Sequence, residues 1–303
     1  MALKDIKAKI GSTARTHTVT RAMEAVSAVK MRRTQQTAIA GRPYARAALS
    51  ILARLSGTAD FAAHPLAAAR AAERRALVIL TSDKGLAGSV NTSVLKVAAE
   101  SVSSLARENV SIYALGRKGE EYFSRRGYSV VESFQNIADS VPRELATGLA
   151  GRLTEAFAEG RYDEVLVAYT RFRSTFEQIP AVNRLLPLSL ENVSQLVEDI
   201  VPARGKWSEK GKEIAAPSAY TMESDSSRVI DAVVPRLVTA SLYHMLLEAK
   251  ASEHSARMVA MKNASDKSKE MVHDLTRTYN KMRQAAITRE VSEIVGGREA
   301  LAA

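Results

Sequence analysis

The stretch best suited to chemistry is a turn of small and charged residues, Ser82–Gly88 (SDKGLAG), which follows a short apolar run. Phosphate-binding loops lie at this place in many α/β proteins, where glycines let backbone N–H groups surround a phosphate. This turn matches neither GxGxxG nor GxxxxGK followed by Ser or Thr, because Lys84 precedes its glycine and no second cradling glycine lies upstream. The sequence therefore favours a tight strand-to-helix turn that uses glycine for a positive φ or for close packing.

No other pattern indicates catalysis. The histidines do not form HExxH, and none lies three or four residues from another; they are His17, His64, His244, His254 and His273. The chain contains no cysteine, which excludes disulfides and thiolate metal sites. No G-x-S-x-G element is present, and no pair of carboxylates differs from an ordinary solvated face. We therefore expect no catalytic residue, no cofactor and no metal.

Length and composition leave room for two domains, or for one domain with an extension. The chain has 303 residues, of which 46% are apolar, so it can bury a sizeable core. Its apolar runs, such as Ala76–Leu80, are far shorter than the roughly 20 residues that cross a bilayer, so we expect no direct membrane span. The first residues lack the apolar core of a signal peptide, although they are basic and rich in Ser and Thr, as mitochondrial presequences are.

The net charge of +10 is concentrated at the ends of the chain. Residues 1–55 carry eleven Lys and Arg against two acidic residues, and residues 228–303 carry twelve against nine. An acidic or carbonyl-rich partner is therefore expected at the first segment. Nucleic-acid binding is disfavoured because these segments hold few aromatic residues that stack on bases, only Tyr44, Tyr243 and Tyr279.

The first segment, residues 1–56, reads as a helix, since no Gly or Pro lies between Ser12 and Ala40. Its apolar stripe steps by three and four through Leu3, Ile6, Ile10, Thr13, His17 and Thr20. Further along, the apolar phase shifts to Val19, Met23 and Val26, a slip that alters supercoiling. A second helical stretch is predicted at residues 44–55.

The last segment, residues 228–303, lacks Gly and Pro from Arg236 to Val295, a length that makes a helix of roughly 90 Å. A stripe with alternating spacings of three and four marks a coiled coil. Its nine residues are called the seam: Met258, Met261, Ser265, Ser268, Val272, Leu275, Tyr279, Met282 and Ala286. The seam is small and soft, and we expect the two terminal helices to pair antiparallel along it.

Between the two arms, residues 57–227 alternate apolar runs with helical periods, which predicts a doubly wound, Rossmann-like parallel sheet with helices on both faces. The strands are placed at residues 75–81, 110–115, 128–131 and 165–170. The helices are placed at residues 92–107, 117–126 and 142–159. Residues 190–220 are polar and read as an insert.

Several stretches together resemble the gamma subunit of F-type, rotary ATP synthases. Residues 3–35 resemble that family's N-terminal helix, and GRPYA (residues 41–45) resembles its Arg-Pro-Tyr element. LTSDKGLAGSVNTSV looks like the turn after the family's first strand. ASEHSARMVAMKNASDKSKEM and TYNKMRQAAITREVSEIVGG are similar to its C-terminal helix. The resemblance at both ends implies that residues 1–23 belong to the shaft helix, and we expect no removable leader there.

The resemblance implies a non-catalytic central rotor shaft that couples rotation of a membrane ring to ATP synthesis or hydrolysis on the beta subunits. It implies as partners a hexamer of three alpha and three beta subunits, an epsilon-type subunit and the ring of c subunits. One copy per complex is expected, peripheral on the cytoplasmic face of a bacterial plasma membrane. The alternative is a static coiled-coil scaffold, and a small nucleotide-binding enzyme with helical extensions is a second rival.

The resemblance also assigns contact residues. Arg283, Gln284 and Thr288 match positions where the shaft meets alpha and beta loops, and Met23 matches a position that faces a beta subunit. A basic face would extend from Met23 through Lys30, Arg32 and Arg33. An apolar tip in a surrounding sleeve would consist of Ile287, Val291, Ile294 and Val295. The ring-contacting foot would lie at Tyr220, Met222 and Glu223, where this chain has YTMESDS instead of the family's Tyr and Pro.

Overall fold

A computed structural model describes residues 3–40, 59–189 and 226–302. In chain order the elements are α1 (Leu3–Ala40), α2 (Ala59–Ala63), β1 (Arg75–Leu80), α3 (Val90–Val102), a 3-10 turn (Arg107–Asn109), β2 (Val110–Leu115), α4 (Arg117–Ser124), β3 (Ser129–Phe134), α5 (Arg143–Ala158), β4 (Glu164–Phe172), β5 (Gln178–Leu186) and α6 (Ser226–Ala302). The helix predicted at residues 44–55 and the polar insert at 190–220 lie outside the described residues.

The chain divides into two compact units. Unit 1 consists of Met1–Ser27 and Met258–Ala303, and unit 2 consists of Ala28–Arg257. Both α1 and α6 continue from one unit into the other without a break. The predicted three-segment division at residues 56 and 228 stays a prediction.

Unit 1 is an antiparallel pair of helices, as the terminal stripes predicted. Nδ1 of His17 lies 3.0 Å from the carbonyl oxygen of Ser265, and the hydroxyl of Thr13 lies 4.0 Å from the sulfur of Met271. A step toward the start of α1 is therefore a step toward the end of α6. All nine residues of the seam are buried or half-buried, while nearly all other α6 residues between Lys262 and Ala286 are exposed. The predicted coiled coil is confirmed.

The predicted change of apolar phase in α1 is wrong. Val19 and Val26 are 57% and 53% exposed, while Thr20 and Ser27 are buried at 8% and 3%. The stripe keeps its original phase because a threonine hydroxyl in a helix can donate to the carbonyl four residues back. Thr20 donates in this way to the carbonyl of Thr16 at 2.9 Å, so its burial leaves no unpaired hydroxyl.

Unit 2 is built on a five-stranded sheet in the order β3-β2-β1-β4-β5. The first four strands are parallel, as predicted, and β5 pairs antiparallel with β4. Sequence analysis missed β5 because Pro180 and the polar Asn183 and Arg184 disguise it. Proline is tolerated in β5 because this strand lies at the edge of the sheet, where an absent N–H breaks no second ladder.

The side chains of the strands alternate between two cores, one on each face of the sheet. Val78 and Leu80 of β1 pack with α5 and with the first part of α6, while Leu77 and Ile79 pack with α3. Buried strands with helices on both faces form a doubly wound sheet. The predicted fold class is therefore confirmed, with one antiparallel strand added.

The apolar start of α6 belongs to the first of these cores. By length and composition alone, α6 is long and apolar enough to cross a membrane. Its most apolar stretch has a mean hydropathy of 1.3 and is 44% buried. The residues that pack into the core are Ile230, Val234, Leu237, Val238, Leu242, Met245, Leu246 and Leu247. Packing inside unit 2 thus accounts for the apolar character of this part of α6.

Gly116 provides a test of the sheet's crossover geometry. Its φ is +102°, and a Cβ atom there would overlap the carbonyl oxygen of Thr81. Gly116→Ala should lower the free energy of unfolding by about 2 to 5 kcal/mol, because strain and overlap add. Chemical denaturation of both proteins measures this loss.

The matched control is Gly151→Ala in α5, where a Cβ would meet no atom within 4 Å. Alanine should stabilise that helix by roughly 0.5 to 1 kcal/mol. Equal changes in the free energy of unfolding at the two positions would contradict the close approach of Gly116 to the carbonyl of Thr81.

Candidate functional site

The predicted contact residues of α6 lie on the surface of unit 1. Arg283, Gln284 and Thr288 are all exposed. The hydroxyl of Thr288 donates to the backbone carbonyl of Gln284 at 3.0 Å, within the same helix. The three side chains are therefore available to another chain.

The predicted apolar tip is also exposed. Ile287, Val291, Ile294 and Val295 are 51%, 53%, 71% and 50% exposed. Their spacing of four, three and one places them on one side of α6, beyond the end of the seam at Ala286. Exposed β-branched residues on one helical face indicate a surface that another protein covers.

The predicted N-terminal contacts divide between the two units. Met23 is half-buried in unit 1, whereas Arg32 and Arg33 are exposed in unit 2. Lys30 differs from the two arginines, because its amine lies 2.8 Å from a carboxylate oxygen of Asp139. The proposed foot residues Tyr220, Met222 and Glu223 lie outside the described residues.

The crevice where doubly wound folds bind nucleotides is occupied by the protein's own helix. That crevice lies at the carboxyl ends of β1 and β4, where the strand order reverses. Leu246, Ala249, Lys250 and Glu253 of α6 cover it, and the remaining cavity has a volume of about 20 Å³. Ligand pockets usually measure about 300 to 1,000 Å³, so this cavity has room for little more than a water molecule.

The SDKGLAG turn holds neighbouring elements together. The Asn91 side chain accepts from the N–H of Ser82 at 3.0 Å. The Asp83 carboxylate accepts from the N–H groups of Arg117 and Asn136 at 3.0 and 2.9 Å. Positive φ occurs at Gly88, as predicted for a glycine of the turn, and also at Leu86. The turn therefore joins the ends of β1, β2 and β3.

The most unusual part of α6 is a run of seven consecutive buried residues, Ala251–Arg257. Most helices bury one face only. The Ser252 hydroxyl donates to the carbonyl of Thr170 at 3.0 Å, and the Ser255 hydroxyl donates to that of Thr175 at 2.8 Å. Strand β4 and the β4–β5 hairpin thus hold the serines.

Arg257 and His254 meet other parts of unit 2. The guanidinium of Arg257 donates to the carbonyls of Lys84 and Gly85 at 3.3 and 3.4 Å. Nε2 of His254 lies 2.9 Å from Asp139, although the two atoms are not aligned for a hydrogen bond. We call the surrounding groups, Thr170, Thr175, Lys84, Gly85 and Asp139, the collar.

The charged side chains of α6 beside the collar are arranged in pairs. Glu253 lies between the amine of Lys250 at 3.2 Å and the guanidinium of Arg257 at 2.8 Å. Burial lowers the pKa of His254 from 6.5, and the carboxylates of Glu253 and Asp139 only partly oppose that effect. Burial raises the pKa of Asp139, but the hydrogen bond from Lys30 together with the positive charges of His254, Lys30 and Lys250 outweighs this and holds that pKa below its usual range.

Comparison with known proteins decides the family. Residues 2–301 match the protein family described as ATP synthase. The ATP synthase gamma chain of Moorella thermoacetica is 37% identical over 299 residues, which cover 99% of each chain. That of Ralstonia nicotianae is 38% identical over 300 residues, covering 98% of this chain and 99% of the other.

The chain belongs to the ATP synthase gamma family.

Solved structures of mitochondrial ATP synthases contain chains with a similar fold. The Tetrahymena thermophila mitochondrial ATP synthase, central stalk and c-ring, contains a chain that matches with a TM-score of 0.57 and 25% identity, over 82% of this chain and 99% of that one. A chain of the Euglena gracilis mitochondrial ATP synthase, which shows the fold alone, matches with a TM-score of 0.64 and 17% identity, over 99% and 94%. The family resemblance of the terminal segments is thereby confirmed.

Sequence analysis assigned no role to Ser252, Ser255 or Arg257, although they lie in a stretch that carries the gamma-family resemblance. In SEHSAR almost every position is polar, so no periodicity separates a buried face from an exposed one. The sequence holds one signal: SEHSAR has no apolar face, although the helical pattern continues before and after it.

His254 generates a pH-dependent prediction. The unfolded chain takes up a proton at this residue near pH 6.5, while the folded chain, whose His254 pKa is lowered, does not until the pH is lower. The contribution of His254 to the free energy of unfolding should therefore be complete above about pH 6.5. It should decrease as the pH falls through that value, by at most about 1.4 kcal/mol per pH unit. Urea unfolding between about pH 7.5 and 5.5 measures the slope.

His254→Gln should reduce this slope, and His273→Gln, at an exposed position, should leave it unchanged. The slope is not abolished, because burial also lowers the pKa of His64 against the opposing charge of Asp231. A full slope in His254→Gln would show that His254 is not held neutral in the fold.

Proposed function

We propose that this chain is the central rotor shaft of a proton-translocating ATP synthase. It would couple rotation of the membrane ring to ATP synthesis or hydrolysis on the beta subunits without contributing a catalytic residue. The observation that carries this proposal is the helix pair of unit 1, where α6 presents apolar and basic residues that the described part of the chain leaves exposed. Membership of the gamma family supports the same function.

The mechanism requires asymmetry. Three chemically identical catalytic subunits become inequivalent only when something touches each of them differently. A helix pair that is not symmetric about its axis does this: Arg283, Gln284, Ile294 and Val295 are exposed on the surface of α6 outside the seam. Turning the pair would carry each catalytic site through the same sequence of contacts in turn.

The soft seam suits a shaft that works under load. Each proton that crosses the membrane supplies about 2.3 kcal/mol per 100 mV of potential. A pair of helices resists twisting better than one helix, and small residues such as Ser265 and Ser268 let a long pair bend without opening large voids. Exposed cations such as Arg283 would exchange partners during rotation at little cost, because surface ion pairs contribute at most about 1 kcal/mol.

The remaining assignments are parts of the same proposal. Arg283, Gln284 and Thr288 would meet loops of the alpha and beta subunits, and Met23 would face a beta subunit with Arg32 and Arg33 beside it. Lys30 can join them only while it also pairs with Asp139. The apolar tip residues Ile287, Val291, Ile294 and Val295 would turn inside a sleeve made by the hexamer.

The proposed assembly contains one copy of this chain, three alpha and three beta subunits, an epsilon-type subunit and the ring of c subunits. Tyr220, Met222 and Glu223 would lie at the ring, and the complex would sit on the cytoplasmic face of the membrane. The terminal helices, residues 1–56 and 228–303, would serve as the shaft and residues 57–227 as its base. No nucleic acid or cofactor is required.

A static coiled-coil scaffold is the competing function, because the same seam would join a scaffold's helices. The exposed tip argues for the shaft, since a scaffold gains nothing from four uncovered β-branched residues at the end of a helix. The filled crevice in unit 2 argues against a nucleotide-binding enzyme.

Purification of the tagged chain from its native membranes tests the assembly. We expect three copies each of two large nucleotide-binding subunits per copy of this chain, measured by quantitative mass spectrometry. Recovery of the chain alone, or as a homodimer, would instead support the scaffold.

Arg283→Ala combined with Gln284→Ala tests the α6 contacts. Both side chains are exposed, so the free energy of unfolding should change by less than about 0.5 kcal/mol. Coupling should weaken because the contacts of both side chains with the hexamer, which contribute up to about 1 kcal/mol each, would be lost. The measurement is the number of protons pumped per ATP hydrolysed in membrane vesicles.

The matched control is Arg125→Ala, which removes an exposed cation from unit 2 and should leave coupling unchanged. A marked fall in the unfolding temperature of the isolated double variant, with normal coupling, would show that the two residues act in folding rather than in contact.

A further inference from the structure

The polar contacts of the collar hold α6 from two opposite sides. Successive helical residues are rotated by about 100° around the axis. Ser252 and Ser255 therefore lie about 60° apart on one side, and His254 and Arg257 lie about 60° apart on the other. The serines meet β4 and its hairpin, while His254 and Arg257 meet Asp139 and the SDKGLAG turn.

Contacts on opposite sides resist turning of the helix about its own axis. Side-chain atoms lie about 5 Å from that axis, so a turn of about 20° moves them by about 1.7 Å. Hydrogen bonds break over such a displacement, because their length varies by only about 0.5 Å and their strength falls steeply with angle. Sliding by one residue, about 1.5 Å, breaks them equally.

The acceptors of these bonds and the two serine donors are stiff. Thr170, Thr175, Lys84 and Gly85 all accept through backbone carbonyls, and a serine side chain has little length in which to flex. The hairpin is itself braced, because the N–H groups of Arg173 and Ser174 both donate to the carbonyl of Glu177 at 3.2 and 3.0 Å. Gln178 adds a bond from its amide to the hydroxyl of Ser255 at 3.4 Å.

We infer that the collar is a torsional lock, the place where turning force passes between the sheet of unit 2 and α6. Ser252, Ser255, His254 and Arg257 are its positioning residues, and the inference rests on the proposed rotary function. Non-directional apolar packing would fill the same space, but it would let the helix turn with a smaller change in energy. Directional bonds explain why a segment buried on all sides carries so many polar side chains.

The test measures how far unit 2 fluctuates about the shaft axis while the alpha and beta subunits of the assembled complex are held on a surface. The chain has no cysteine, so Glu108→Cys, at an exposed position, gives one attachment point for a bead. Ser252→Ala with Ser255→Ala removes three of the five hydrogen bonds between α6 and the collar and its hairpin. If the bonds contribute equally, the angular variance during pauses should rise by up to about 2.5-fold, with the rate of ATP hydrolysis unchanged.

Thr239→Ala is the matched control, because the Thr239 hydroxyl donates only to the carbonyl of Pro235 in the same helix, at 3.0 Å. Its variance should equal that of the unaltered chain. Gln178→Ala removes a single bond to Ser255 and should give a smaller increase; it decides the question if the double variant fails to assemble. Failure of the unaltered chain to rotate would overturn the rotary function, whereas rotation with no added variance in either variant would overturn the lock alone.

Discussion

A helix buried on every side must find partners for the polar groups it carries, and residues 251–257 of α6 impose this constraint on unit 2. The β4–β5 hairpin and the SDKGLAG turn accept hydrogen bonds from this segment, and Asp139 lies 2.9 Å from His254, whose ring nitrogens make no hydrogen bond within the described residues. Their positions depend in turn on the parallel sheet, whose strands end at this edge. The same arrangement fills the crevice in which doubly wound folds bind nucleotides.

Unit 1 solves a different problem, since two long helices must pair without a strong apolar core. Hydroxyls such as that of Thr20 donate within their own helix, and His17 meets Ser265 across the pair. Burial therefore costs little where the seam is polar, and the pair retains apolar residues for its outer surface. The exposed residues Ile294 and Val26 belong to that surface. The proposed shaft requires a helix pair with exposed apolar faces, because the surrounding subunits would cover them.

The sequence predicted the features that depend on periodicity. The seam from Met258 to Ala286 and strands β1, β2 and β4 follow from local patterns that burial later matches. Strand β5 was missed because a strand at the edge tolerates Pro180, which a central strand would not. The prediction that Val19 and Val26 are buried was wrong because α1 carries two apolar stripes. Only its pairing with α6 decides which stripe is buried. The buried segment of α6 that the collar surrounds, residues 251–257, has no apolar periodicity. The roles of Ser252 and Arg257 therefore follow only from the elements that they contact. The contact residues came from family resemblance rather than from pattern.

The central claim is that this chain turns inside a fixed ring of catalytic subunits. It is tested most directly by watching a bead attached to the thiol of the Glu108→Cys variant in the assembled complex, with the alpha and beta subunits immobilised and ATP supplied. The bead should rotate in one direction with three pauses per turn, one for each catalytic subunit. Steady ATP hydrolysis by the same complexes while the bead stays still would contradict this claim and would leave this chain a static member of the assembly.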